Sequence, residues 1–210
     1  MPIDLDAELK TRITEIKERF ATGSESGTVT VRREDGLYRH LEISMPRSSV
    51  SWCEVVTWPG ALAITGYSGT YIFRSDEDMI AFFRDCMTGT RWDVDTRYWA
   101  EKVQPHGGRS VQKYAEERVR TYIRQAAEEA EATHPGLTAE VEQELFSRYS
   151  NADLGTEGGA RAALAAFEFD DFRFDTDDWE FTQYDYWFLY TCQVIAWTVA
   201  QYDARVPAPA

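Results

Sequence analysis

The chain has 210 residues, 43% of them hydrophobic and 14% aromatic, which is enough apolar material for a well-packed core. Its formal net charge of −14 excludes a general nucleic-acid binder and disfavours docking on an anionic membrane, because both tasks need a basic surface. Solubility is the ordinary explanation of such a charge, and competition for a basic partner is the functional alternative.

The composition also indicates a soluble protein that stays inside the cell. The three cysteines, Cys53, Cys86 and Cys192, are odd in number and far apart, which favours reduced thiols over a disulfide framework. The N-terminus has the pattern of a polar amphipathic helix and lacks that of a signal peptide. The longest apolar run, 186–199, is shorter than the roughly 20 residues that cross a bilayer. We therefore expect a cytoplasmic location, and we predict no cofactor.

The first part of the chain is predicted to form one helix and then a sheet. Apolar residues at helical spacing predict a helix over 4–20. From residue 28 the spacing changes to two, and turn signals such as Asp35-Gly36 separate about five short strands up to residue 73. Because the connections are too short for crossovers, these strands are expected to form an antiparallel meander.

The remainder, 75–203, is predicted to be mostly helical. A short helix is expected at 96–103, and a long one from Ser110 to about Ala132. The C-terminal helix is apolar nearly all round, which is typical of a helix buried in the middle of a fold. We therefore predict a single α+β domain over residues 1–205, with a frayed tail at 206–210.

The densest group of charges lies at 168–185, where eight carboxylates accompany one base, Arg173. Carboxylates can bind calcium or magnesium through hard oxygen ligands, although the spacing does not match a calcium-loop motif. The candidate metal ligands are Asp175, Asp177, Asp178 and Glu180. Aromatic and polar residues alternate through the segment, so the favoured interpretation is extended chain whose acids form its solvated face. An acidic contact surface is a third interpretation.

A second candidate site has the opposite charge. Residues 91–124 contain eight Lys or Arg and five Asp or Glu, a net charge of +3. Within them a glycine-rich loop leads into the helix predicted at Ser110, and backbone N–H groups at such a helix start suit a phosphate. The candidate ligand-binding residues are Lys102, His106, Gly107, Gly108, Arg109 and Ser110, with Trp58 and Tyr67 as possible stacking partners. The loop matches neither of the glycine-rich nucleotide motifs, so an ordinary loop with a serine cap and a solvated basic helix face is the favoured interpretation of this segment, and a phosphate site is the functional alternative.

Catalytic constellations have little support in the sequence. The histidines at 40, 106 and 134 do not form a zinc motif. Cys53 lies in a predicted strand and Cys192 in the apolar C-terminal run, so both are expected to be core residues. We predict no catalytic residue, and an enzyme is the less favoured class.

Several separated stretches resemble a family of uncharacterised proteins of actinobacterial phages and prophages. They are "YRHLEIS", "VTWPGALAITGYSGTYIFRS", "DMIAFFR", "YWAEKVQ" and "YDYWFLYTCQVIAWTVAQYD", in this order, and together they make up 61 of the 210 residues. The resemblance implies a setting, a small accessory protein made inside an infected or lysogenic bacterium. It carries no activity and no catalytic residue to this chain.

The sequence thus favours a non-enzymatic binding protein that acts on the host. It would sequester a nucleotide-like, phosphate-bearing small molecule or contact a host protein. The alternatives are a metal-dependent hydrolase that uses the acids at 175–180, and an acidic mimic that occupies the nucleic-acid site of a host protein.

Overall fold

The structure, a computed structural model, describes residues 3–46, 51–88, 93–105 and 108–205. Its α-helices are α1 (Leu5–Ser24), α2 (Met79–Asp85), α3 (Thr96–Glu101), α4 (Glu116–Ala130), α5 (Leu137–Val141), α6 (Glu157–Ala166) and α7 (Tyr186–Asp203). Its β-strands are β1 (Thr28–Asp35), β2 (Tyr38–Ser44), β3 (Trp52–Trp58), β4 (Ala61–Gly66), β5 (Gly69–Arg74), β6 (Met87–Thr88), β7 (Asp93–Val94), β8 (Gln112–Tyr114) and β9 (Thr182–Tyr184). A five-residue π-helical segment, Glu142–Phe146, follows α5 directly.

Alternating burial along consecutive strands builds the main sheet. In β3, for example, Cys53, Val55 and Thr57 are buried while the residues between them are more exposed. Strands β1 to β5 pair in chain order, each antiparallel to the next. The α+β class and the predicted five-stranded meander are therefore confirmed. Helix α1 extends to Ser24, one turn beyond the predicted 4–20.

The chain divides into two compact units. The sheet unit consists of Leu5–Val111 and Tyr184–Ala210, and the helical unit of Met1–Asp4 and Gln112–Gln183. The prediction of one domain over residues 1–205 stays a prediction. Acidic residues are unevenly shared between the units. The sheet unit has 15 Lys or Arg and 18 Asp or Glu, a formal charge of −3, and the helical unit has 7 and 18, a charge of −11.

The core of the sheet unit is built on α7, as the all-round apolar sequence of this helix predicts. Its buried positions run without a break from Phe188 to Val199. Phe20 of α1 makes edge-to-face contacts with it, its ring centroid 5.5 Å from that of Tyr190 and 6.4 Å from that of Trp197. Aromatic pairs in this geometry add about 0.5–1.5 kcal/mol each beyond the area that they bury.

The helical unit has its own apolar core, to which the acidic segment contributes its aromatic residues. Phe167 and Phe181 are buried in it, and Phe172, Phe174 and Trp179 pack against it half-buried. The acids between them point to solvent. This arrangement agrees with the favoured interpretation of the segment, in which aromatic residues anchor the chain and carboxylates form its wet face.

A bidentate ion pair ties β2 to α2 and makes the sheet unit sensitive to acid. Arg39 donates from both terminal nitrogens to the carboxylate of Asp78, at 2.9 Å each. The same carboxylate caps α2 by accepting from the backbone N–H groups of Ile80 and Ala81. Burial acts to raise the pKa of Asp78, but the hydrogen bonds from Arg39 and the backbone outweigh it and hold the pKa below its ordinary value.

We expect this carboxylate to contribute stability that is present above about pH 4, the ordinary aspartate pKa, and lost as the pH falls through its lower folded-state pKa. Asp78→Asn keeps a good capping side chain but removes the charge. Chemical unfolding between pH 5 and pH 2.5 should therefore show a weaker pH dependence in Asp78→Asn than in the parent. The exposed neighbour Asp76 provides the control, and an equal change in Asp76→Asn would contradict the assignment.

Candidate functional site

Residues 102–105 and 108–109 lie beside β5 at its outer edge. Three backbone hydrogen bonds of 2.8–2.9 Å join the segment to β5. The N–H of Arg74 donates to the carbonyl oxygen of Lys102, that of Gln104 to Ile72, and that of Arg109 to Thr70. Residue numbers rise along the segment while those of their β5 partners fall, so the segment runs antiparallel to β5. A strand edge that would otherwise be open is thus hydrogen-bonded.

Two glycines bring Arg109 down onto the turn between β4 and β5. A Cβ on Gly108 would lie 2.0 Å from the carbonyl oxygen of Thr70, and the φ of Gly108 is +147°. Only glycine allows the chain to pass so close to the strand. Gly69, with φ +100°, leaves room for the aliphatic part of Arg109, whose Cδ would be 3.3 Å from a Cβ at that position.

Arg109 is held by a buried carboxylate that belongs to α7. Its Nε donates to Oδ2 of Asp185 at 2.5 Å, and the Asp185 side chain is only 7% exposed, against 43% for Arg109. Asp185 is also the N-cap of α7, with Oδ1 accepting from the N–H of Trp187 at 3.4 Å. A buried carboxylate needs such a cation nearby, since the cost of removing it from water is otherwise uncompensated.

This pair leaves one edge of the guanidinium for a ligand. An arginine has five N–H donors, of which the Arg109–Asp185 bond uses the one on Nε. Within the described ranges, the two Nη groups of Arg109 make no hydrogen bond. A guanidinium fixed at Nε and open at Nη is oriented for bidentate contact with a phosphate or carboxylate.

Arg109 also lines a pocket of about 400 Å³. It is lined by Ala100, Val103, Gln104, Pro105, Gly108, Arg109, Ser110 and Val111. Its volume lies within the roughly 300–1,000 Å³ of small-molecule sites. Three of the residues predicted to bind a ligand, Gly108, Arg109 and Ser110, therefore line a cavity of suitable size.

The fully buried Tyr71 of β5 lies close enough to the Arg109–Asp185 pair to respond to its charges. Burial is the main cause that raises the pKa of Tyr71, and the negative charge of Asp185 adds to it. The hydroxyl has no hydrogen-bond partner among the described residues. Tyr71 is accordingly a neutral phenol and not an anionic group that would repel a phosphate.

The long helix predicted from Ser110 to about Ala132 is present as α4, but it begins six residues later than predicted. Residues 112–114 form β8, which pairs with β9, and α4 begins at Glu116. The prediction was wrong because pairing with a distant strand overrides the local helical pattern. Ser110 is exposed and caps no helix, so a phosphate here would not meet a helix that begins at Ser110. His106 and Gly107 lie outside the described residues.

The other predicted ligand residues are divided between the two ends of the sheet. Lys102 lies beside Arg74, four residues along β5 from Thr70 and thus about 14 Å from the Arg109 end. Its Nζ is 4.3 Å from the ring centroid of Tyr98. Trp58 belongs to the Lys102 end, because it pairs with Ala61 and through it with Arg74.

Tyr67, by contrast, belongs to the Arg109 end. It lies in the turn between β4 and β5, 67% exposed, with its ring edge-to-face on Trp187 at 5.7 Å between centroids. Gly69, the first residue of β5 after this turn, contacts Arg109. Of the two predicted stacking partners, Tyr67 therefore lies at the same end of the sheet as Arg109, and Trp58 lies at the other end.

The acids at 175–180 form no metal centre in the part of the chain that the structure describes. Asp175, Asp177, Asp178 and Glu180 are all exposed. Asp175 accepts from the backbone N–H of Asp177 at 3.2 Å, and Glu180 from the hydroxyl of Thr182 at 2.8 Å. No three His, Cys, Asp or Glu side chains among the described residues are grouped so that they could hold a metal ion.

The cysteines are free, and two of them are core residues as predicted. Burial, with a smaller contribution from Glu54, raises the pKa of Cys53 to about 12. Burial likewise raises the pKa of Cys192, which is completely enclosed. Neither thiol is activated as a nucleophile, because a nucleophilic cysteine needs a lowered pKa and access to solvent.

No protein-family model, curated protein or solved structure matches the chain. In the ranges that the structure describes, no helix combines the length and the hydrophobicity needed to cross a membrane. A functional assignment therefore depends on the chemistry of the pocket at Arg109.

The sequence did not reveal that Asp185 holds the guanidinium of Arg109 in place. Asp185 was visible as an acid before an apolar helix, which is the signature of an N-cap. Its pairing with Arg109 has no local signal, because the two residues are 76 positions apart. The glycine at 108 was assigned to a helix start, whereas its role is the close approach to Thr70.

Proposed function

We propose that this chain is a binding protein that takes a small phosphate-bearing ligand in the pocket at Arg109. The observation that carries the proposal is the guanidinium of Arg109, held at Nε by the buried Asp185 and half-exposed beside a 400 Å³ cavity. Fixing an arginine before the ligand arrives lowers the entropy lost on binding. It also favours anions whose oxygens accept two parallel hydrogen bonds, such as phosphate, over spherical ones.

Charge distribution supports placing an anion in the sheet unit. The formal charge of this unit is −3, whereas that of the helical unit is −11. An anionic ligand is repelled less by the sheet unit, and a guanidinium in a partly enclosed pocket offsets the remaining repulsion. Tyr67 offers an exposed ring for stacking on a base or another flat group.

The setting that we propose follows from the resemblance to actinobacterial phage and prophage proteins. The chain would act in the bacterial cytoplasm and sequester a nucleotide-like molecule from the host. Contact with a host protein is the alternative version of the same role. The metal-dependent hydrolase receives no support from the exposed acids at 175–180.

Thermal unfolding with a ligand panel tests the proposal. A ligand at 100 times its dissociation constant stabilises the folded state by about 2.7 kcal/mol. We expect such stabilisation from at least one of ATP, a cyclic nucleotide or inorganic pyrophosphate. Arg109→Ala should weaken that ligand about 10- to 100-fold, since a hydrogen bond to a charged group contributes about 1.5–3 kcal/mol.

Arg74→Ala is the matched control. Arg74 is an exposed arginine at the opposite end of β5, and its loss changes the net charge by the same amount. Binding should survive Arg74→Ala. Stabilisation that persists in Arg109→Ala, or a panel without any response, would overturn the proposal. A basic protein that co-purifies with the chain would favour the host-protein version.

A further inference from the structure

A larger cavity, of about 710 Å³, lies within the helical unit. It is lined by Gln143, Glu144, Leu145, Ser147, Tyr149, Ser150, Asn151, Ala152, Ala163, Ala166 and Phe167. Neither the predicted phosphate residues nor the acids at 175–180 take part in it. We call it the π-segment groove, because the π-helical segment forms one wall.

Two features leave space for the groove. The backbone turns away at the end of the π-helical segment, and the residues on the opposite wall have small side chains. The segment ends at Phe146, and the next residue, Ser147, has an extended backbone. The hydroxyl of Ser150 then donates back to the carbonyl oxygen of Glu144. The opposite wall, at the end of α6, presents Ala163 and Ala166 where larger side chains would fill the space. π-Helical turns are rare and are frequently found at functional sites.

The lining combines an apolar floor with a polar rim. Leu145 and Phe167 are buried and form the floor together with the alanines. Glu144 is the charged residue of the lining, and its carboxylate makes no ion pair with any residue that the structure describes. Ser147, Ser150 and Asn151 add neutral hydrogen-bonding groups.

Electrostatics decides which class of ligand fits such a groove. The helical unit has a formal charge of −11, and the one charged lining residue is an acid, so an anion is disfavoured. The ring of Tyr149 at the rim is 77% exposed and already attracts a cation, the guanidinium of Arg148, which lies 4.6 Å from its centroid. Exposed tyrosine rings hold cations in this way with about 0.5–1 kcal/mol.

We propose that the π-segment groove binds a small organic cation with an apolar body. The apolar part lies on Leu145, Phe167 and the alanines, and the ammonium group pairs with Glu144 at the rim. This site is separate from the pocket at Arg109, and neither depends on the other. The two sites take ligands of opposite charge.

Three probes of nearly equal shape test the charge preference: 1-naphthylmethylamine, which is protonated at neutral pH, 1-naphthalenemethanol and 1-naphthoate. Calorimetric titration of the intact chain should rank the ammonium first, the alcohol second and the carboxylate last. Glu144→Gln should weaken the binding of the ammonium probe about two- to fivefold, which is the range for a partly exposed ion pair, and should leave the affinity for the alcohol unchanged. Arg148→Gln removes the nearby positive charge and should therefore tighten the binding of the ammonium probe.

Matched variants separate the groove from the general negative charge of the unit. Glu128→Gln removes an exposed acid of α4 that does not line the groove, and it should change ammonium binding less than Glu144→Gln does. Ala166→Phe fills the groove and should abolish binding of both the ammonium and the alcohol. Ala165→Phe, at the neighbouring exposed position outside the lining, should leave it intact.

Several results would overturn the proposal. One is binding of 1-naphthoate as tight as that of the ammonium probe, and another is no binding of any probe. The others are equal losses of affinity in the two phenylalanine variants, or equal losses of ammonium affinity in Glu128→Gln and Glu144→Gln. Glu144→Gln changes an exposed side chain and keeps the fold. It therefore reports on the site even if Ala166→Phe disturbs α6.

Discussion

Replacing Asp185 with alanine is expected to lower the free energy of unfolding by about 2–4 kcal/mol. Two losses combine in this variant. Helix α7 loses its capping acceptor for the N–H of Trp187, and Arg109 loses the buried carboxylate that holds its Nε. Because α7 is the centre of the core, a weakened first turn affects the whole sheet unit. For a protein of this size the expected fall in Tm is on the order of 10 °C.

Asp185→Asn separates the two contributions. Asparagine is as good an N-cap as aspartate, so the cap remains and only the charge is lost. We expect this variant to lose clearly less stability than Asp185→Ala, but to lose phosphate binding, because Arg109 is no longer fixed. Equal stability of Asp185→Ala and the parent in thermal and chemical unfolding would show that the carboxylate neither caps α7 nor anchors Arg109.

Gly108→Ala is expected to be the second most damaging substitution, with a loss of about 2–3 kcal/mol. A Cβ would lie 2.0 Å from the carbonyl oxygen of Thr70, and that contact cannot relax by rotating a side chain, because the oxygen belongs to the backbone of β5. The segment must move away from the strand. It then breaks the hydrogen bond from the N–H of Arg109 to Thr70 and displaces the guanidinium.

Gly158→Ala is the control for the general effect of replacing glycine. Gly158 lies in α6, and a Cβ there would meet no atom within 4 Å. Alanine should stabilise that helix by about 0.5–1 kcal/mol. Hydrogen exchange of the Arg109 amide would show whether Gly108→Ala opens the edge of β5, and unchanged protection in that variant would contradict the packing described.

The sheet and the central helix were predictable because their patterns are local. Alternating residues in β3 and turn pairs such as Asp35-Gly36 specify a meander without reference to the rest of the chain. The run from Phe188 to Val199 has no polar face, so burial is its only stable arrangement. The aromatic residues of the acidic segment followed the same logic, since their spacing separates a packed side from a wet side.

The candidate site was only partly predictable, because its geometry is long-range. The helix predicted from Ser110 begins only at Glu116, because Gln112–Tyr114 pairs with a strand 70 residues later in the chain. The sequence placed Arg109 near a possible ligand but had no signal for its partner Asp185. Lys102 and Trp58 were grouped with Arg109 because of their charge and ring type, but the strand register places both at the other end of β5 from Arg109. The π-segment groove is a space left by small residues, and it has no motif.

Side-chain NMR of arginine tests the central claim most directly. In the 15N-labelled chain, the Nε–H signal of Arg109 should exchange slowly with water because of its hydrogen bond to Asp185, and this protection should be lost in Asp185→Asn. Titration with pyrophosphate should shift the Arg109 signal and leave that of Arg74 in place. If pyrophosphate leaves the Arg109 signal unchanged, or shifts the Arg74 signal equally, Arg109 is not the anchor of a phosphate site.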